Sequence, residues 1–199
     1  MRTRCKETEL LPGLDAPELR DILFFALQPP AELFPLIQRI DGYFRREFGL
    51  KGALFTPQRL HVSLCGVQPR EGVSEALVDI FRRIGDSMAA SPFDVVFDRA
   101  VSFARNGDKR AFVLRAGGDL VALIEFHHAM DAGMMRAGFH GRSSFLPHMT
   151  LLYDGRVVVE HEVETVRWTA RDFVLLHSAP KKGQRQESYI ERGRWPLKT

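Results

Sequence analysis

Only two of the 199 residues are cysteine, Cys5 in a polar N-terminal stretch and Cys65 inside an apolar run. A disulfide-stapled scaffold is therefore excluded, and a reducing compartment is the default expectation. No run of about 18 apolar residues is present to cross a membrane as a helix. The opening Met1-Arg-Thr-Arg-Cys-Lys-Glu-Thr-Glu lacks the apolar core of a secretory signal, so the expected location is the cytoplasm. Low-complexity segments are lacking too, as is a dominant charge: 28 Lys and Arg against 25 Asp and Glu leave a net +3. That balance excludes a tail-driven nucleic-acid binder and leaves a weak tilt towards anionic partners. The length suits one domain over residues 1–199, or two small lobes sharing a cleft, with a polar lead-in over residues 1–20.

What the chain does have is a short phrase written twice. Arg59-Leu60-His61-Val62-Ser63-Leu64 and Leu146-Pro147-His148-Met149-Thr150-Leu151 each set a His-x-Ser/Thr tripeptide in an apolar run. In an extended strand, side chains two residues apart share a face. His61 therefore lies beside Ser63, and His148 beside Thr150. Two imidazoles with an unperturbed pKa of about 6.5 can divide the roles of general base and general acid near neutral pH. The two hydroxyls can hold non-bridging oxygens whose charge must be stabilised in the transition state. This is equipment for proton transfer around a phosphate, and it suits a strained cyclic phosphate, whose ring already contains a leaving oxygen.

The surrounding pattern places these motifs on strands. Ile22 to Leu27, closed by Pro29-Pro30, reads as a buried strand, and Ala31 to Phe48 as an amphipathic helix ending at Gly49. Leu60 to Val67 is the first motif strand, followed by a helical stripe between Gly72 and Met88. Phe93–Phe97 and Val101–Phe103 read as strand, then a turn at Asn106-Gly107-Asp108 and a strand at Ala111–Leu114. Asp119 is placed to cap a third helix running to about Ala137. A Gly-rich loop, Gly138 to Ser144, delivers the second motif strand. Thr165 to His177 reads as one further strand, pairing with Ser188 to Trp195 across the basic turn that begins at Lys181. Helices mixed with mostly antiparallel strands predict an α+β fold.

The paired motifs, the Phe24 to Pro30 opening Phe-Phe-Ala-Leu-x-Pro-Pro, and the ending Ser178…Tyr189…Arg194-Trp-Pro-Leu197 resemble the two-histidine phosphoesterase superfamily. The nearest branch is the 2′-5′ RNA ligase or RNA 2′,3′-cyclic phosphodiesterase family, and the resemblance spans roughly residues 20 to 197. It implies a bilobal fold, with two pseudo-symmetric lobes of mostly antiparallel sheet and outer helices around a central cleft. The implied activity is metal-independent opening of a terminal 2′,3′-cyclic phosphate on RNA to a 2′-phosphomonoester, with 2′-5′ ligation as a side reaction. By the same resemblance His61 protonates the departing O3′ and His148 activates water, although pseudo-symmetry lets either histidine serve either side. Ser63 and Thr150 then bind the phosphate oxygens.

One departure stands out. Many relatives carry an Arg five residues after the second motif histidine, where this chain has Tyr153. Tyr153, read as sharing the strand face of Thr150, becomes a substrate-contact candidate, and Arg142 or Arg59 a candidate replacement for the lost charge. Phe139 and Phe145 suit either base stacking or core packing. His127-His128 do not suggest a metal, because adjacent helical side chains diverge by about 100°. No metal or cofactor is expected. Expected partners are RNA 3′ ends or small nucleotides carrying a cyclic phosphate, met by a monomer without a membrane. Two rival readings remain: a phosphodiesterase for small nucleotides such as 2′-5′ oligoadenylate or an ADP-ribose cyclic phosphate, and a non-catalytic module that binds RNA ends.

Overall fold

The computed structural model describes residues 21–69, 72–103, 109–140, 144–181 and 186–198. Its strands are β1 (Ile22–Leu27), β2 (Val62–Val67), β3 (Phe93–Ser102), β4 (Arg110–Arg115), β5 (His148–Asp154), β6 (His161–Ala170), β7 (Asp172–Ser178) and β8 (Ile190–Pro196). Three helices intervene: α1 (Phe34–Phe48), α2 (Glu75–Asp86) and α3 (Val121–Arg136). All eight strands form one sheet in the order β6-β3-β4-β5-β2-β1-β7-β8, with every pairing antiparallel.

The expected lobes are the two halves of this sheet. β1-α1-β2 and β4-α3-β5 are the same unit, two adjacent antiparallel strands joined through a helix. Each unit is extended by a further pair, β7-β8 in one half and β3-β6 in the other. The halves meet at β2 and β5, which share a single registered pair, Val62 with Met149. The two motif strands thus lie side by side at the seam. Among the described residues, no helix is long and apolar enough to cross a membrane.

Local chemistry explains the elements. α1 ends where Gly49 takes a left-handed conformation (φ 65°), its N–H donating to the Arg45 carbonyl. Ser74 caps α2 by accepting from the Leu77 N–H at 3.2 Å. Ile37, Ile40 and Phe44 of α1, Val78, Phe81 and Ile84 of α2, and Leu123, Phe126 and Met130 of α3 enter one buried cluster. Leu23, Phe25, Leu27, Val62, Leu114 and Met149 of the sheet join them, so the helices cover one face. The other face carries a separate small cluster of Phe24, Ala26, Val174 and Leu176.

Two expectations need correction. Thr165–His177 is two strands, not one: β6 is an outer strand of one half and β7 an inner strand of the other. The residues mark the break, since His161–Ala170 alternates in burial while Phe173–Ser178 is buried throughout, as an edge and an interior strand require. Phe93–Ser102 is one strand, as expected, with an irregularity against β6 between Phe97 and Arg99. Asp119 does not cap α3; Leu120 holds the N-cap position and no side chain caps it. The turn at residues 106–108 lies outside the described residues, but the β3-β4 hairpin pairing it was read to join is present.

Candidate active site

Both motif strands break strict alternation at the same place. In β5, Val113 faces Thr150 and Phe112 faces Leu152, so Leu151 is an extra, bulged residue. In β2, Ala26 faces Ser63 and Phe24 faces Gly66, so two residues, Leu64 and Cys65, oppose Phe25 alone. Simple alternation would send Tyr153, three residues past Thr150, to the helix-covered face. The bulge returns it to the side of His148 and Thr150. The positions His61, Ser63 and Gly66 therefore match His148, Thr150 and Tyr153 across the seam.

The imidazoles are held alike. Nδ1 of His61 lies 2.7 Å from the Arg59 carbonyl, and Nδ1 of His148 lies 2.7 Å from the Leu146 carbonyl. A carbonyl oxygen only accepts, so Nδ1 carries the proton and Nε2 is the acceptor in each neutral ring. His161 makes the same bond to Val159, yet its ring packs against Phe44 and Phe48. The clamp alone is thus not a mark of chemistry; what sets His61 and His148 apart is that their strands pair at the seam. His61 and His148 are both buried, as is Thr150, and Ser63 is half-buried.

Each imidazole leans on aromatic rings. His61 sits 5.1 Å from the Phe24 ring and 5.2 Å from that of Tyr189, while Phe103 lies 4.9 Å from His148. Burial lowers the His61 pKa to about 4, with the charges of Arg59 and His148 adding to that and the hydrogen bond to the Arg59 carbonyl opposing it. His61 is accordingly neutral at pH 7 in the free protein.

Arg59 flanks the first histidine. Its guanidinium lies over the Phe55 ring, 3.9 Å from the centroid, and 5.4 Å from the centroid of Tyr189, whose hydroxyl is 3.4 Å from Nη2. Tyr153 meets the other side of the same framework, 5.9 Å from Phe55. Asp154 holds this segment in place. Its Oδ2 accepts from the Lys51 and Gly52 N–H groups, both at 2.6 Å, and Oδ1 from the Arg156 N–H at 2.9 Å. Burial pushes its carboxyl up, but these three backbone donors and the Arg156 charge win and hold it below the usual range. Gly52 must be glycine, because a Cβ there would overlap the Tyr153 carbonyl oxygen.

Of the expected site residues, His61, Ser63, Arg59, His148, Thr150 and Tyr153 are brought to this seam, whereas Arg142 lies outside the described residues. Phe139 and Phe145 turn to the core: Phe139 packs on Phe81, and Phe145 stacks on His127 at 3.8 Å. Sequence reading passed over Phe55 and gave Phe103 only as the end of a strand. It quoted Phe24 and Tyr189 only as landmarks, since nothing in their local pattern shows that they close on His61. Among the described residues, no group of three His, Cys, Asp or Glu side chains is arranged to hold a metal.

A strand-helix-strand unit used twice, with a His-x-Ser/Thr strand from each copy at the seam, defines a two-histidine phosphoesterase. The fold is shared by a crystal structure described as a phosphoesterase, 24% identical with TM-score 0.72, covering 90% of this chain and 99% of that one. It is shared too by E. coli LigT complexed with NADP+ (21% identical, TM-score 0.70, 89% and 98% covered) and with 3′-AMP (23%, 0.67, 92% and 100%). The chain belongs to the 2′-5′ RNA ligase superfamily, whose family model matches residues 29–179. No curated protein matches it.

Proposed function

We propose that this protein is a metal-independent RNA 2′,3′-cyclic phosphodiesterase, opening a terminal 2′,3′-cyclic phosphate to a 2′-phosphomonoester, with 2′-5′ ligation, in which a 5′-hydroxyl takes the place of water, as a side reaction. The observation that carries this reading is the pair of buried imidazoles at the seam, each pinned through Nδ1 so that Nε2 is the proton-transfer atom. His148 takes a proton from water as its oxygen bonds to phosphorus. The P–O3′ bond breaks, and His61 delivers its proton to O3′. Ser63 and Thr150, one beside each histidine, hold the non-bridging oxygens.

The acid role of His61 meets an energetic demand, because its pKa of about 4 leaves it neutral in the free protein. The substrate supplies the remedy. A phosphate anion beside an imidazole favours the charged ring by about one to three pKa units, so His61 gains its proton as the phosphate docks. A phosphodiesterase for small nucleotides is the second reading, favoured by the NADP+ and 3′-AMP complexes of E. coli LigT.

An oligoribonucleotide ending in a 2′,3′-cyclic phosphate, incubated with the protein and a chelator, should yield the 2′-phosphomonoester. Intact substrate across the pH range would sink the proposal. His61→Gln and His148→Gln should each cost about 100-fold or more. With an aryl ester of the nucleotide phosphate, whose leaving group needs no proton, the His61 variant should recover and the His148 variant should not. The opposite rescue would reverse the assignment. A mononucleoside cyclic phosphate or ADP-ribose cyclic phosphate turned over faster than the oligonucleotide would favour the small-nucleotide reading.

A further inference from the structure

We propose that Arg59 is the phosphate clamp of this site, a cation carried on the first-motif side and held ready between Phe55 and Tyr189. The inference rests on the phosphodiesterase reading for its substrate, while its central test does not depend on turnover. Three observations carry it. Among the described residues no carboxylate forms an ion pair with Arg59, although ten salt bridges engage other side chains. Its Nε is buried without a hydrogen-bond partner, and a buried charged donor left unpaired works against folding unless an acceptor arrives with a ligand. Two aromatic rings and a tyrosine hydroxyl fix the guanidinium in place. That geometry suits a planar fork waiting for an oxyanion.

The framework explains why Arg59 can serve where Tyr153 carries no charge. Phe55 touches both side chains, at 3.9 Å from the Arg59 guanidinium and 5.9 Å from the Tyr153 ring. One ring thus bridges the position five residues after the second motif histidine and the position two residues before the first. The hydroxyl of Thr56 donates to the Glu187 carbonyl and ties this segment to the stretch bearing Tyr189. A positive charge on either side of Phe55 faces the same seam. Gly66, the counterpart of Tyr153 in the first half, offers no place for a third candidate, since a Cβ there would lie 2.5 Å from Cβ of Phe24.

The probe is inorganic phosphate, titrated by calorimetry into the intact protein. Arg59→Gln should weaken its binding about tenfold or more, as loss of a charge-assisted bidentate contact does. Adding Tyr153→Arg to that variant should recover a measurable part of the loss. The Nε–H resonance of Arg59 in the unaltered protein should shift on phosphate addition, a readout that holds even where a variant fails to fold. Unchanged phosphate affinity in Arg59→Gln, or an unmoved Nε–H signal, overturns the clamp whatever the protein does to RNA. A protein that binds phosphate through Arg59 but leaves the cyclic phosphate intact keeps the clamp and sinks the catalytic reading.

Discussion

In the proposed mechanism His61 is asked to be an acid in a place that strips it of its proton. Burial, the Arg59 charge and the His148 charge act in one direction, and the ring is neutral above about pH 4. The sign of the resulting stability change is fixed. The unfolded chain binds a proton at His61 below about pH 6.5, whereas the folded chain does so only below about pH 4. Acidification between those values therefore favours unfolding, by up to about 3 kcal/mol from this group. Denaturant titrations at pH 7 and pH 4.5 should show a smaller acid-induced loss in His61→Gln than in the unaltered protein. An equal loss would mean that His61 is not held neutral. The imidazole resonances should agree, with His61 titrating near pH 4 in the free protein and higher once phosphate is added.

At the scale of the element, the decisive features are the paired bulges. The histidines, the hydroxyls and the α+β class were legible because the motif is repeated and strand alternation is a simple rule. The bulges were not, because a bulge is a relation between two strands and leaves no fixed trace in one. The break between β6 and β7 was legible in principle, in the change from alternating to continuous apolar residues, but continuity of β-branched and aromatic residues concealed it. The aromatic contacts of His61 come from β1 and from the segment before β8, distant in the chain and assembled only by topology. Gly66→Ala tests the bulge in β2. The added methyl would meet Cβ of Phe24 at 2.5 Å and the Leu23 carbonyl at 2.9 Å, so Phe24 must leave its place beside His61. Overpacking of this kind costs about 1–3 kcal/mol. A variant of unchanged melting temperature and unchanged turnover would show that this close packing is dispensable.

At the scale of the whole molecule, the two halves exchange helices. α1 leaves β1 but packs its Phe44 on Phe112 of β4, 4.9 Å away, and on His161 of β6. α3 leaves β4 and contacts β2 as well as β3, and its Phe126 meets both Phe93 and Phe173. With one registered residue pair at the seam, the halves are joined by this exchange more than by backbone bonding. They should unfold together. Trp168 in β6 and Trp195 in β8 report on opposite ends of the sheet, so Trp168→Phe and Trp195→Phe isolate one half each. Coincident fluorescence midpoints, each measured against that variant's circular dichroism, are expected; a midpoint that departs from its own circular dichroism would show the halves to be separate folding units.

The strand order carries a last implication, for synthesis. The first half is interrupted: β1 and β2 are made early, but β7 and β8 that complete it follow the entire second half. During translation the early strands must wait, with one flank open, for partners more than 100 residues downstream. Tyr189, which closes on His61, is among the last of these to emerge from the ribosome. A nascent chain can present both histidines and still lack the wall that dries one of them, so competence for the proposed proton transfer arrives late, as a by-product of closing the sheet.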